Sequence, residues 1–120
     1  LDRGVAALIQ DLHDRGLEKD VVTVMWGEFG RDPKVNAKGG REHWEPVMSA
    51  LIAGGGLKMG QAVGTTTARG EEPKDSPYKV PQVWSTIYRT VGIDPSKTFP
   101  DGSGRPVHIL EDREPVKELV

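Results

Sequence analysis

His43, Glu28, Arg31 and Arg41 are the residues of this 120-residue chain whose types and spacing can do chemistry. All four fall within the stretch VVTVMWGEFGRDPKVNAKGGREHW, residues 21–44. It opens as an apolar run, Val21 to Trp26, and breaks at Gly27. Glu28, Arg31 and Asp32 follow on a loop, and the turn Lys38-Gly39-Gly40-Arg41 delivers Glu42-His43-Trp44. In α/β proteins ligands sit beyond the carboxyl ends of strands, so this margin is where a site belongs. An imidazole can ligate a metal, take a proton or bind an anion. A carboxylate just past a strand can ligate a metal or accept a proton. Two arginines can grip a phosphate or sulfate ester through paired N–H donors.

Each residue also has a plainer account. His43 can bond a backbone carbonyl and pack beside Trp44, Glu28 can pair with Arg31 or Arg41, and the arginines can sit in solvated salt bridges. Glu42 and His43 are adjacent, so in an extended chain only one of them faces a site. The run Gly54-Gly55-Gly56-Leu57-Lys58-Met59-Gly60 lacks the Gly-Lys-Ser/Thr and helix start of a phosphate loop, and close backbone packing explains its glycines better. His13 and His108 read as structural, and Trp84 and Tyr88 as core. Neither a GxSxG elbow nor an HExxH motif is present. A catalytic zinc needs about three protein ligands, and the stretch offers one histidine and one well-placed carboxylate. The chain therefore holds at most half an active site.

The elements around this margin follow from periodicity. Leu1–Arg15 carries Leu1, Val5, Leu8, Ile9 and Leu12 as one stripe of a helix, with Gly16 as its left-handed terminator and Leu17 folding back. Helix, tight turn and an unbroken apolar strand read as the second half of a βαβ unit, with cover on both strand faces. Residues 46–53 (PVMSALIA) read as a strand closed by glycines. Residues 61–67 are β-prone and polar, suited to a sheet edge, and residues 68–79 read as a surface loop with a binding role. Pro81–Val91 is a second helix with Val83, Trp84, Ile87, Tyr88 and Val91 as its buried stripe, ended by Gly92 and Asp94-Pro95. Residues 99–106 read as a turn-rich loop and residues 107–110 as a closing strand. In the charged tail, Val116, Leu119 and Val120 are available for docking.

Composition narrows the classes. The length suits one α/β domain over residues 1–120. With no cysteine, disulfides, thiolate metal sites and a cysteine nucleophile are excluded. The net charge of -2 comes from 16 basic and 18 acidic residues mixed along the chain, which does not suggest a nucleic-acid partner. No apolar run approaches the roughly 20 residues that span a bilayer. The chain starts at Leu1 inside a helical pattern without a signal peptide, which reads as a fragment or a processed product. A partial sheet with open apolar edges leads to an expectation of self-association.

Three blocks together carry a resemblance: Gly27-Glu28-Phe29-Gly30-Arg31, Gly40-Arg41-Glu42-His43-Trp44 and Ala53-Gly54-Gly55-Gly56-Leu57-Lys58-Met59-Gly60-Gln61. With Thr86–Pro95 they resemble a bacterial family of domains of unknown function, abundant in planctomycetes and related to sulfatases and alkaline phosphatases. The resemblance spans almost the whole chain. It implies the C-terminal part of an alkaline-phosphatase-like sheet flanked by helices, in a metal-dependent hydrolase of phosphate or sulfate esters. It also implies an extracytoplasmic location. His43 and Glu28 would then be ligands of a divalent metal (zinc, calcium or manganese), and Arg31 and Arg41 would stabilise the anionic ester. The nucleophile would lie upstream, so this chain alone would not turn over. Gly27-Glu28-Phe29-Gly30 stands where active members of that superfamily carry Asp-His-Gly. That departure keeps open a second class, a binding or assembly module that uses residues 68–79 and 99–106 for a glycan, an anion or a partner.

Overall fold

A computed structural model describes residues 1–120. Its elements in chain order are α1 (Asp2–Asp14), β1 (Val22–Trp26), β2 (Gly30–Arg31), β3 (His43–Trp44), β4 (Ala50–Gly54), β5 (Thr65–Thr66), β6 (Pro73–Asp75), α2 (Val80–Thr90), β7 (Thr98–Pro100) and β8 (Pro106–His108). The eight strands form four separate antiparallel pairs, β1–β4, β2–β3, β5–β6 and β7–β8. The class is mixed α/β, as the periodicities indicate. The expected βαβ unit is not present within these residues: the one ladder β1 makes is antiparallel, to β4. Residues 68–79 and 99–106 supply strands to two hairpins rather than forming plain loops. Residues 46–49 stay irregular, and the strand begins at Ala50.

Both helices stop where glycine permits a left-handed turn. Gly16 (φ 70°) donates to the His13 carbonyl at 2.9 Å, and Leu17 donates to Leu12 at 2.8 Å. Gly92 (φ 78°) and Ile93 repeat the pattern onto Arg89 and Tyr88 at 3.1 and 2.8 Å. These paired bonds satisfy carbonyls that a helix end leaves open.

The β1–β4 hairpin lies between the two helices. Val22, Val24 and Trp26 alternate onto one face, where Trp26 meets Trp84 of α2 edge-on at 5.3 Å. A Cβ at Gly55 would collide with Thr90 of the same helix and touch Val22, so only glycine lets the chain pass there. Thr23 and Met25, with their partners Ala53 and Leu51, form the other face. Grooves of 860 and 530 Å³ separate that face from the α1 stripe, with Ile9 and Leu51 lining both. Helix α1 buries no residue, and Leu8 remains 48% exposed.

The buried core lies elsewhere, where α2 meets the C-terminal tail. Only six of the 120 residues are buried, and five of them, Ser85, Thr86, Pro115, Val116 and Leu119, are here. The expected α2 stripe is thus only partly right: Val83, Ile87 and Tyr88 are half-buried, while Trp84 and Val91 are exposed. Polar satisfaction is the reason. The Ser85 hydroxyl donates to the Arg113 carbonyl at 2.5 Å. Thr86 Oγ1 donates to Gln82 at 2.9 Å and accepts the Val116 N–H at 2.8 Å. The tail is also held by Lys58 N–H to the Leu119 carbonyl (2.9 Å), Gln61 to the Glu118 carbonyl (2.8 Å) and Tyr78 Oη to the Glu118 carboxylate (2.5 Å). Val116 and Leu119 dock as expected, and Val120 stays exposed.

The total accessible area is 8822 Å² and the radius of gyration 17.2 Å. A compact chain of this mass and length would have roughly 6,400 Å² and about 14 Å. Apolar faces are left uncovered.

Candidate functional site

The margin after β1 is a second, smaller hairpin, β2–β3, stacked against the loop that precedes it. Gly30 pairs with Trp44 and Arg31 with His43. Asp32 N–H donates to the Glu42 carbonyl at 3.0 Å, so Arg31 and His43 form the non-hydrogen-bonded kind of pair, with side chains close on one face. Phe29, two residues before Arg31, shares that face. The His43 ring stacks on Phe29 at 3.7 Å, and the Arg31 guanidinium carbon lies 5.3 Å from the Phe29 centroid. An aromatic ring thus supports a guanidinium and an imidazole side by side, an arrangement stabilised by ring–cation attraction.

The opposite face is structural. Trp44 Nε1 donates to the Glu71 carbonyl at 2.7 Å, and Lys34 reaches the Glu71 carboxylate at 3.5 Å. A Cβ at Gly30 would sit on the Val47 carbonyl oxygen, so the hairpin and the 46–49 segment approach as closely as glycine allows.

Asn36 closes the turn. Its Oδ1 accepts Lys38 and Gly40 N–H at 3.0 and 2.9 Å, and its Nδ2 donates to Glu42 Oε1 at 2.6 Å. Gly39 (φ 78°) supplies the left-handed step. Glu42 therefore serves the turn while His43 faces Phe29.

The four residues singled out from the sequence fare differently. Arg31 and His43 are brought together, both exposed, and neither takes part in an ion pair. Arg41 points back into the turn, where its Nη1 donates to the Asp32 carbonyl at 2.7 Å and to that of Pro33. The paired-arginine grip is thereby changed: Arg41 holds the loop, while Arg31 stays exposed with one long contact, Nη1 to the Arg41 carbonyl at 3.5 Å. Glu28 is exposed and pairs with neither arginine.

No three His, Asp or Glu side chains converge to hold a metal ion. His43 and Glu28 supply two donors at most, short of the three protein ligands of a catalytic zinc. The residues present do not make a metal site by themselves. Phe29 and Asn36 are the participants that sequence reasoning passed over. An aromatic residue two positions before Arg31 on an extended segment, and the Asn-x-x-Gly-Gly spacing, were the available signals. The large groove beside α1 is a separate feature; His13 lines it, and none of the four residues does. His13 itself bonds Glu18, and His108 lies 3.2 Å from the Ser96 carbonyl, structural placements for both.

A family model described as "Protein of unknown function (DUF1501)" matches residues 1–120. The chain belongs to the DUF1501 family. No curated protein and no solved structure matches it. The DUF1501 match takes in every residue of the hairpin and the whole tail-bearing core, so site and scaffold fall in one family unit.

Proposed function

We propose that this DUF1501 chain carries the anion-recognising rim of a metal-dependent ester hydrolase of the sulfatase and alkaline phosphatase type, working outside the cytoplasm. One observation carries the reading. Arg31 and His43 stand opposite each other across β2–β3, over Phe29, with no carboxylate paired to either. Guanidinium N–H groups match the oxygens of a phosphoryl or sulfuryl group, and the imidazole adds a donor beside them. Phe29 beneath both excludes water from one side, which strengthens the charge interaction. Arg41 and Asn36 hold the backbone so that the display does not have to form on binding. A divalent metal, when bound, would act as Lewis acid; His43 and Glu28 are this chain's donors toward it, and the remaining ligands and the nucleophile belong outside residues 1–120.

Titration of the chain with inorganic phosphate and with sulfate, followed by amide and imidazole resonances, tests the rim. Resonances of Arg31 and His43 are expected to move, and Arg31→Ala to weaken binding at least about tenfold, or roughly 1.4 kcal/mol. Unmoved resonances at both positions would remove the reading. No ester turnover is expected from this chain alone.

A binding or assembly module is the second reading, and it has its own observation. Phe99 and Val107 pair across β7–β8 and are 57% and 50% exposed, an apolar tip suited to a partner surface. The phosphate and sulfate titration separates the two: movement at Arg31 and His43 supports the hydrolase rim, and none there, with unchanged folding, supports the module.

A further inference from the structure

The β2–β3 hairpin is too small to hold its own shape. It pairs two residues with two, and no third strand joins it. An isolated two-stranded ribbon is marginal in water. Its front face does not make up the difference. Arg31 and His43 stand directly opposite, and like charges so placed destabilise a strand pair once the imidazole is protonated. That leaves the back face. Gly30 has no side chain to offer there, and Trp44, its partner, is half-buried.

Trp44 is tied to a carbonyl 27 residues further along: its Nε1–H donates to Glu71 at 2.7 Å. That carbonyl belongs to a turn with its own internal order. Thr67 N–H donates to the Glu72 carbonyl at 2.9 Å, and Gly70 N–H to the Thr67 carbonyl at 2.8 Å. Thr67 Oγ1 accepts the Glu71 and Glu72 N–H groups at 3.3 and 3.4 Å. The β5–β6 ladder closes the base of the turn, with Thr65 opposite Asp75. The same turn meets the other limb of the hairpin. A Cβ at Gly70 would touch Pro33 at 3.9 Å, and Lys34 reaches the Glu71 carboxylate at 3.5 Å. The lysine of that ion pair is largely in solvent, so the pair is worth little. The part-buried indole bond is the stronger tie.

We propose that Trp44, seated on the 67–72 turn, is the positioning residue of the anion rim. His43 and Trp44 are consecutive, so their side chains take opposite faces of β3. Fixing the indole behind the strand fixes the roll of β3, and that roll sets where the imidazole lies in front: on Phe29 at 3.7 Å and across from Arg31. Without the tie, part of the binding energy goes to ordering the strand. Residues 67–72 thus serve the site by holding its strand and not by touching the ligand. The inference rests on the anion-binding reading for its ligand, whereas the placing of His43 is measurable with no ligand present.

Two readouts keep those claims apart. In the free chain, at one fixed pH, the His43 ring protons lie over Phe29 and are expected upfield, with Phe29→Leu giving the unstacked reference. Trp44→Phe keeps an aromatic ring but has no N–H to donate. It should move the His43 ring protons toward their Phe29→Leu positions. It should also weaken binding of inorganic phosphate about three- to tenfold, the worth of one such bond. Thr67→Val removes the hydroxyl that orders the Glu71 carbonyl and should act in the same direction, more weakly, while Thr67→Ser restores both readouts. Amides of α2 and the tail should stay in place throughout. His43 ring protons unmoved in Trp44→Phe would overturn the proposal. So would moved ring protons in a variant that holds phosphate as tightly as the parent does. A parent that binds no phosphate removes the anion reading, and the His43 shift alone then decides whether Trp44 positions the imidazole.

Discussion

The α2–tail core and the β2–β3 hairpin are both built from side chains bonding backbone, yet they use those bonds to opposite ends. In the core, Ser85 and Thr86 are fully buried and each hydroxyl is occupied by backbone, with Val116 and Leu119 packed beside them. In the hairpin, Asn36, Arg41 and Glu42 are consumed locally so that Arg31 and His43 can stay exposed. Burial makes the first region a stability element, because an unmade bond there costs desolvation. Exposure makes the second a display, in which each bond is worth little and the summed geometry matters. The contrast teaches that removal of core groups should be read in folding energy and removal of hairpin groups in ligand affinity.

Leu119→Ala should break the core most severely, costing about 2–4 kcal/mol as a large-to-small change at a buried site, read from the denaturation midpoint. Thr86→Val is expected to cost about 1–3 kcal/mol, because it keeps the shape but leaves the Val116 N–H without its acceptor; Thr86→Ser should recover much of that. If both changes left stability untouched and altered phosphate binding instead, the contrast would collapse. Gly30→Ala sharpens it from the other side. Its methyl group would displace the Val47 carbonyl and shift β2 against β3, so phosphate affinity should fall about tenfold, or roughly 1.4 kcal/mol. The amide resonances of α2 and the tail should stay where they are.

What could be read in advance divides along the same line. Local signals worked: Gly16 and Gly92 end their helices with the bonds that glycine permits, and the β1 run is a strand. Pairing across sequence distance did not show. β1 skips the whole β2–β3 hairpin to reach β4, and a continuous apolar run does not say whether its partner is parallel or antiparallel. Residues 99–106 looked like loop because glycine and proline dominate them, yet Asp101 folds them into a turn by accepting Ser103 and Arg105 N–H at 2.8 and 3.0 Å. The buried face of α2 departs from its hydrophobic period because that period cannot register a tail that comes back for a threonine hydroxyl. At the site, histidine and arginine were visible by type. Which arginine would be displayed was decided by the carbonyls of Asp32 and Pro33, and those depend on the turn already being formed.

The smallest expected effect is also the one with two signs. Hydrogen bonding from Tyr78 holds the Glu118 carboxyl below the usual carboxylate range, with Ser76 helping, while the same bond raises the Tyr78 phenol above its ordinary value. A carboxylate with a lowered folded pKa contributes stability above its unfolded value, and that contribution is lost as pH falls through the folded one. A phenol with a raised folded pKa contributes stability below its unfolded value, lost as pH rises through the folded one. The bond between them therefore stabilises the tail between the carboxylate and phenol ranges and fades at both ends. Denaturation midpoints of the parent and Tyr78→Phe should differ near neutral pH and converge both in acid and above the phenol range. Both groups are solvent-accessible, so the gap should be modest. The bond lies outside the β2–β3 hairpin, so the Tyr78→Phe change should leave phosphate binding at Arg31 and His43 as it was. A gap that stayed constant from acid to alkali would mean the tyrosine acts by packing, and the polar hold on the tail would then come from Ser85, Thr86, Lys58 and Gln61.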